Sequence, residues 1–573
     1  MPPPRLLLPR RPPLTLLCRR FLPHPRFYSS NNTVTGEFQK SQKRSLKDVH
    51  HGHKEKRQDA NIAFTESPWE VICGLEVHAQ LNTERKLFSD ATMSTTAPPN
   101  THISVIDASL PGTQPTLNPK ILLPALRAAV ALSCKPEQIS RFDRKHYFYW
   151  DQPAGYQITQ FYQPLAKNGT LRLTKDADGM DLEVKIRQVQ IEQDTGKTIA
   201  APPNSLVDLN RVGAPLVEII TDPFPLAEAA TAGKVLAKIQ GLLKAVDACV
   251  LGMEWGGLRA DVNVSVRRRG ETELGRRCEI KNLSSFKAVT EAILSESQRQ
   301  IAILSAGGTI GGETRGWDAE HFTTRRLRGK EGEVDYRYMP DPDLPPVVLT
   351  RRLIDKVKGN MPPLPDQIVE ELTSKYGLTA KDARTILLWD DGRSGDVVAY
   401  YKSVVSLVTP NDKTTGKIVG NWMIHELGGL LTIHEISWAE NKITAHGLAE
   451  LISLLVGGKI TGATAKALLP RLLTDRKASA AKIVQEENLA ITEISDDELS
   501  VLIKGVLDTD EGKNVLQQLE ANLENEKKRK GLRGFVVGKV MRSMGGKVKA
   551  DRVDGLLSTM LSQSQSQSQS ESQ

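Results

Sequence analysis

Trp69-Glu-Val-Ile-Cys-Gly-Leu-Glu-Val-His-Ala-Gln-Leu81 decides how the front of this chain folds. At the strand period of two, Leu75, Val77, Ala79 and Leu81 share one face, and Glu76, His78 and Gln80 share the other. A half-buried strand needs only generic polar groups on its wet side. Here a carboxylate, an imidazole and an amide stand in a row, a surface able to hold a divalent cation. The alternative is an ordinary strand with a solvent-facing histidine, and this segment alone does not separate the two.

Three further segments carry the same kind of polar face. In residues 181–193, Leu182, Val184 and Ile186 alternate, the phase slips near Arg187-Gln188, and Val189 and Ile191 resume. The slip predicts a β-bulge, a device that re-aims side chains, after which Gln190, Glu192 and Asp194 share a face. In residues 206–220, Asp208, Asn210 and Arg211 precede a Gly/Pro turn, and Glu218 stands alone in an apolar strand. A carboxylate there is costly unless it is paired or bound to a cation. An ion pair with an arginine such as Arg211 and a metal site both satisfy that condition. In residues 257–266, Arg259, Asp261, Asn263 and Ser265 oppose Leu258, Ala260, Val262, Val264 and Val266; Glu279 and Lys281 follow on one face, with Asn282 next to them. Repeated sets of carboxylate, Arg, Lys and Asn suit phosphoryl transfer, where carboxylates hold Mg²⁺ and cations balance the triphosphate.

Familiar nucleotide and nucleophile motifs are missing. There is no GxxxxGK[ST]; Gly534-Phe-Val-Val-Gly538-Lys539 is one residue short between its glycines and lacks the Ser/Thr. No GxGxxG opens a βαβ unit, and neither a GxSxG elbow nor a Ser-rich amidase stretch is present. Any nucleotide must therefore be held by sheet-borne carboxylates and basic groups.

At 573 residues the chain predicts several domains. Its five cysteines lack CxxC spacing, which fits a reducing compartment. No apolar run reaches the ~18 residues a membrane helix needs. Residues 1–32 hold six arginines and no acid, the composition of a mitochondrial transit peptide. Residues 1–57 carry thirteen Lys/Arg against three Asp/Glu; the whole chain is +8, so the remainder is close to neutral. The basic pI thus reports mostly on import, and a nucleic-acid argument must rest on local patches.

The expected organisation is a transit peptide over 1–28, a flexible linker over 29–65 and an α+β catalytic domain over 66–352. A helical linker region over 353–412, a helical tail domain over 413–561 and a disordered Ser/Gln tail over 562–573 complete it. Residues 181–193 and 259–267 read as antiparallel strands, and 119–132, 227–246, 447–456 and 462–473 as helices. In the tail, residues 523–552 hold ten Lys/Arg, among them Lys527, Lys528, Arg529, Lys530, Arg533, Lys547 and Lys549, against three acids. Such a patch predicts phosphate binding with salt-dependent affinity; a solvated helix face is the alternative.

A family resemblance joins these segments. Gly74-Leu-Glu-Val-His78, Phe142-Asp-Arg-Lys-His-Tyr-Phe-Tyr149, Gly155-Tyr-Gln-Ile-Thr-Gln160, Asp208-Leu-Asn-Arg211, Arg259-Ala-Asp-Val-Asn-Val-Ser265, Glu279-Ile-Lys-Asn282 and Asp335-Tyr-Arg-Tyr-Met-Pro-Asp-Pro-Asp343 follow in order. Together they resemble the B subunits of the glutamyl-tRNA(Gln) amidotransferases, in their mitochondrial form given the leader. The resemblance implies an antiparallel-sheet cradle similar to the catalytic fold of glutamine synthetase and guanidino kinases, then a helical half ending in a tRNA-contacting module. It implies that misacylated Glu-tRNA(Gln) becomes Gln-tRNA(Gln). ATP and Mg²⁺ serve to phosphorylate the glutamyl carboxylate. Ammonia arrives from a glutaminase (amidase) partner, the A subunit of the complex, joined by a small bridging subunit. Carried over by position, Glu76, His78, Glu192 and Glu218 are the catalytic and metal candidates. Arg259, Asp261, Asn263, Glu279, Lys281 and Asn282 are the nucleotide and substrate candidates, and residues 142–149 and 325–338 shape the acceptor-end cleft. Two positions depart from the family: Gln193 where a second glutamate is common, and Trp150 where proline is usual. A non-catalytic tRNA-binding scaffold is the competing reading, and a ligase for a small free acid is a third.

Overall fold

The computed structural model describes residues 64, 67–249, 251–329, 335–389, 396–409, 412–476, 478–492, 494–522 and 525–570. The leader, nearly all of the linker and the His-rich tract at 50–57 lie outside them.

The front half is built on a ten-stranded sheet. From one edge it runs Thr323–Gly329, Glu313–Asp318, Cys278–Leu283, Leu258–Arg268, Trp69–Gln80, Pro215–Thr221, Leu182–Gln193, Ala166–Leu173 and Lys135–Pro136. The short strand Phe224–Pro225 also pairs with Trp69–Gln80. The expected all-antiparallel sheet needs one correction: Cys278–Leu283 and Glu313–Asp318 run parallel. The helix Phe286–Ser305 between them is the crossover that a parallel neighbour requires.

The alternation read from the sequence sets the layers. Leu75, Val77, Ala79, Val217, Ile219, Val262 and Val264 are all buried on one face. The helices Ala230–Ala245 and Phe286–Ser305 pack together over that side. Ser285 caps the second of them, its hydroxyl accepting from the Ala288 amide at 3.1 Å. The predicted phase slip is a bulge: Ile220 pairs with Gln188 but Thr221 pairs with Ile186, leaving Arg187 as the extra residue. The polar face stays open toward a three-stranded sheet of Asp143–His146, Tyr156–Thr159 and Met339–Pro340. Arg144 stitches it together, reaching Asp341 at 2.7 Å and Asp343 at 2.8 Å across nearly two hundred residues of chain.

The back half is helical, and most of its helices open on a Ser, Thr or Asp cap, as at Asp412, Thr444, Thr461, Ser479, Ser495 and Thr509. Its packing breaks at a different place from 412/413. One core takes in residues from Leu372 to Val484, including Tyr401 and Met423 on either side of that boundary, and a second runs from Leu499 to Leu557. The Ser/Gln repeat, expected to be disordered over 562–573, continues the last helix, Ala550–Ser570, as far as Ser570, and residues 571–573 lie outside the described residues. Once a helix is nucleated upstream, each added residue costs little, and Ser and Gln do not stop it.

Thr461 ties the two helical units together. Its hydroxyl accepts from the Thr464 amide at 3.2 Å and donates to the Gly546 carbonyl at 2.6 Å. Thr461→Ala is expected to cost about 1–2 kcal/mol of stability, read as a lower midpoint in thermal unfolding. An unshifted midpoint would remove that tie from the account.

Candidate active site

Register places the acidic set on one patch of the polar face. His78 lies between Glu218 and Arg259, and Glu76 between Ile220 and Asp261, on neighbouring strands. The bulge at Arg187 brings Gln190 opposite Glu218 and leaves Glu192 one step further along. His78 Nε2 sits 3.5 Å from Glu192, 3.9 Å from Glu76 and 3.9 Å from Glu218. Ligand atoms of Glu76, His78 and Glu218 all fall within 4.8 Å of one another. Glu192 is the outer member, meeting the group through His78.

Arg211 is not the partner of Glu218. It donates to the Thr195 carbonyl at 2.9 Å and the Gly196 carbonyl at 2.6 Å, and its nearest carboxylate is Asp194. Glu218 instead accepts from the Gln190 amide.

The electrostatics follow from this crowding. Burial works against a charge on His78, but Glu192, Glu218 and Glu76 outweigh it and raise the imidazole to about 9. Burial likewise opposes charge on Glu192, yet Lys145 and His78 hold it down to about 2. Glu218 goes the other way: burial and the neighbouring Glu192 push its carboxyl well above the usual range.

Lys145 falls in the stretch expected to shape the acceptor-end cleft, but its position against the acidic cluster is not foreseen by the sequence. Burial acts against its charge, but Glu192, Glu218, Tyr338 and Glu76 raise its pKa well above the ordinary lysine value. Its strand partner Gln157 donates to Glu192 at 2.8 Å and to the Gln193 carbonyl at 2.7 Å. The one available signal was Asp143-Arg-Lys-His146, four charged or titratable residues in succession on a strand too short to solvate them all.

The remaining candidates spread along the sheet. Arg259 pairs with Asp194 at 2.6 Å; Lys281 bonds Asp261 and stands 3.5 Å from Glu279. Asn263 lies opposite Gly74 and Glu279. Asn282 is not brought in with them. Ala260 pairs with Leu283 and Val262 with Ile280, so Lys281 and Asn282 both face Asp261, and Asn282 bulges outward at φ 64°.

An aromatic rim borders the His78 end. Phe161 and Tyr338 stack with centroids 3.9 Å apart, and Arg144 lies 4.3 Å over the Tyr156 ring. Phe148, Tyr149 and Trp150 are exposed, Phe148 at 86 %. Trp150 donates to the Thr198 hydroxyl at 3.0 Å.

The donor set fits a divalent cation. Three carboxylates and an imidazole converge, and Glu192 Oε2 is buried without a hydrogen-bond partner. An orphaned carboxylate oxygen is what a metal ligand looks like before the metal is placed.

The basic tail is narrower than its composition. Arg533 pairs with Asp554 at 2.7 Å, Lys539 with Glu511 and Arg552 with Asp496. Lys528, Lys530 and Lys549 are exposed, Arg529 and Lys547 half-buried, and the Lys527 side chain lies outside the described residues.

Residues 71–355 match the model of the GatB/GatE catalytic domain, and residues 405–561 that of the GatB domain. Relatives named as mitochondrial B subunits of glutamyl-tRNA(Gln) amidotransferase align over most of both chains. That of Paracoccidioides lutzii is 46 % identical over 86 % of this chain and 84 % of its own length. That of Emericella nidulans is 42 % identical over 94 % and 92 %. This chain belongs to the GatB family, the B subunits of glutamyl-tRNA(Gln) amidotransferases. The family's members are components of a heteromeric enzyme, and the mitochondrial naming of the relatives agrees with the arginine-rich leader. Among the described residues, no helix is long and apolar enough to cross a membrane.

Proposed function

We propose that this chain activates the side-chain carboxylate of Glu-tRNA(Gln) with ATP and Mg²⁺ in the mitochondrial matrix, on a cradle like that of glutamine synthetase and the guanidino kinases. Ammonia from a glutaminase partner, held to this chain by a small bridging subunit, completes the reaction. The observation that carries this reading is the convergence of Glu76, His78 and Glu218, with Glu192 one step outward, beside a rim of exposed aromatics.

A free carboxylate resists ammonia because its oxygen is a poor leaving group. Its oxygen attacks the terminal phosphorus of ATP, releasing ADP, and ammonia then displaces phosphate at the acyl carbon to leave the amide. Glu76, His78, Glu192 and Glu218 would hold the cation, which when bound supplies charge to the phosphoryl oxygens. Lys145 meets the incoming glutamyl carboxylate and offsets the negative charge gathered there. Arg259 and Lys281 are anchored by Asp194 and Asp261, so their charges are positioned before substrate arrives. The aromatic rim offers unpaired acceptor-end bases a surface for stacking.

The reading is tested with the purified complex, Glu-tRNA(Gln) and glutamine. Conversion to Gln-tRNA(Gln) is expected only when ATP and Mg²⁺ are both present; conversion without ATP would overturn it. For the tail, Lys528→Ala with Lys530→Ala and Lys549→Ala is expected to weaken tRNA binding. The slope of log affinity against log salt should fall by roughly 0.7–0.9 per lost phosphate contact. Arg533→Ala, whose charge is already paired, should alter that slope less. An unchanged slope in the triple variant would exclude this patch from the footprint.

A further inference from the structure

The aromatic rim and Lys145 occupy the His78 end of the acidic patch, and an open cavity of about 750 Å³ occupies the other end. Its walls include Glu76, Gly74, Asn263 and Ser265 from the two central strands, and Arg276 and Arg277 from the loop before Cys278–Leu283. The volume lies within the range of small-molecule and cofactor sites. We propose that this cavity is the polyphosphate subsite of the nucleotide, with Arg276 and Arg277 as its phosphate clamp; this inference rests on the phosphoryl-transfer reading above.

Three observations carry it. First, Arg276 and Arg277 are exposed, and among the described residues neither is paired with a carboxylate, whereas the third arginine of the wall, Arg187, is held by Asp222 at 2.9 Å. Adjacent unpaired guanidiniums repel each other, and a polyanion relieves that repulsion while accepting their forked donors. Second, Gly74 presents bare backbone between Glu76 and Ile72, so the cavity floor has no side chain where a phosphate chain would lie closest to the sheet. The nearest atom to a Cβ built there is Asn263 Cβ at 3.8 Å, so the missing side chain is not forced by neighbouring bulk. Third, Glu76 belongs to both the cavity wall and the converging donor set. Polyphosphate entering over Gly74 and a carboxylate entering past Lys145 therefore meet from opposite ends of one strand. In-line displacement at phosphorus needs that approach, with attacking and leaving oxygens on opposite sides.

Arg276 and Arg277 lie on an exposed loop, so their replacement leaves the core intact. In the assembled complex, Arg276→Ala with Arg277→Ala is expected to raise the KM for ATP roughly tenfold or more. The KM for Glu-tRNA(Gln) and the glutaminase activity should be unchanged. Arg276→Lys with Arg277→Lys should recover part of the loss, since charge remains while the planar fork is gone. An unchanged KM for ATP in the double alanine variant would overturn the subsite. If Glu76→Gln still abolished ATP use in that same preparation, the phosphoryl-transfer reading would stand and only the clamp would fall. A wild-type complex that converts Glu-tRNA(Gln) without consuming ATP would remove both.

Discussion

Glu76→Gln and His78→Ala, each introduced alone, are expected to lower the rate of Gln-tRNA(Gln) formation by roughly a thousandfold. Both residues contribute to the convergence of donors at the centre of the sheet. Glu76→Gln keeps shape and removes one charge from a set that must balance a divalent cation, so the Mg²⁺ concentration for half activity should rise as the maximal rate falls. His78→Ala removes a donor and also leaves Glu192, Glu218 and Glu76 facing one another without the imidazole between them. Glutamine hydrolysis by the glutaminase partner and binding of tRNA should survive both changes. Single-turnover transamidation with matched tRNA-binding measurements checks this, and full activity in either variant would remove the cation site from the mechanism.

Lys145→Met should cost about a hundredfold in the same assay, by a different route. The substitution keeps the aliphatic stem and deletes the ammonium that Glu192, Glu218 and Glu76 surround. Glu192 then keeps only His78 and hydrogen bonds such as that from Gln157 to stay ionised in a buried place, and the incoming glutamyl carboxylate loses the cation that faces it. The KM for Glu-tRNA(Gln) should rise with the fall in rate, while the Mg²⁺ requirement does not rise. Lys145→Arg is expected to recover part of the activity. A Lys145→Met enzyme with an unchanged KM and a raised Mg²⁺ requirement would make Lys145 a support for the metal ligands instead.

Much of this site is legible in the sequence because strands convert a period of two directly into a shared face. Glu76 with His78, and Arg259 with Asp261 and Asn263, needed no knowledge of register to be grouped. The bulge at Arg187 was legible for the same reason: an extra residue breaks the alternation where it sits. What the period cannot give is which strands become neighbours. Glu218 had two satisfactory partners on paper, Arg211 or a cation, and only the pairing of its strand with Trp69–Gln80 put it against His78. Lys145 was lost for a similar reason. It sits on a small separate sheet, and nothing local in Asp143–His146 says that this sheet leans over Glu192.

The differences from expectation have equally physical causes. Asn282 follows Lys281 in the chain, but a bulge turns it outward, and one extra residue is hard to see in a six-residue strand. The parallel pair Cys278–Leu283 and Glu313–Asp318 arises from the direction in which a helix returns the chain, which composition does not encode. In the tail, a count of Lys and Arg overstates the free charge because Asp554, Glu511 and Asp496 come from other helices of the same unit to meet three of them. The expected boundary at 412/413 has no counterpart in the packing. The helices on either side of it share one apolar core, and only the core shows that they belong together.

Oxygen transfer tests the central claim most directly. Glu-tRNA(Gln) labelled with ¹⁸O in the glutamyl side-chain carboxylate is turned over by the complex with ATP, Mg²⁺ and glutamine, and the released phosphate is analysed by mass spectrometry. Activation of the carboxylate by phosphoryl transfer predicts one ¹⁸O in each phosphate formed with Gln-tRNA(Gln). Unlabelled phosphate accompanying full conversion would contradict it.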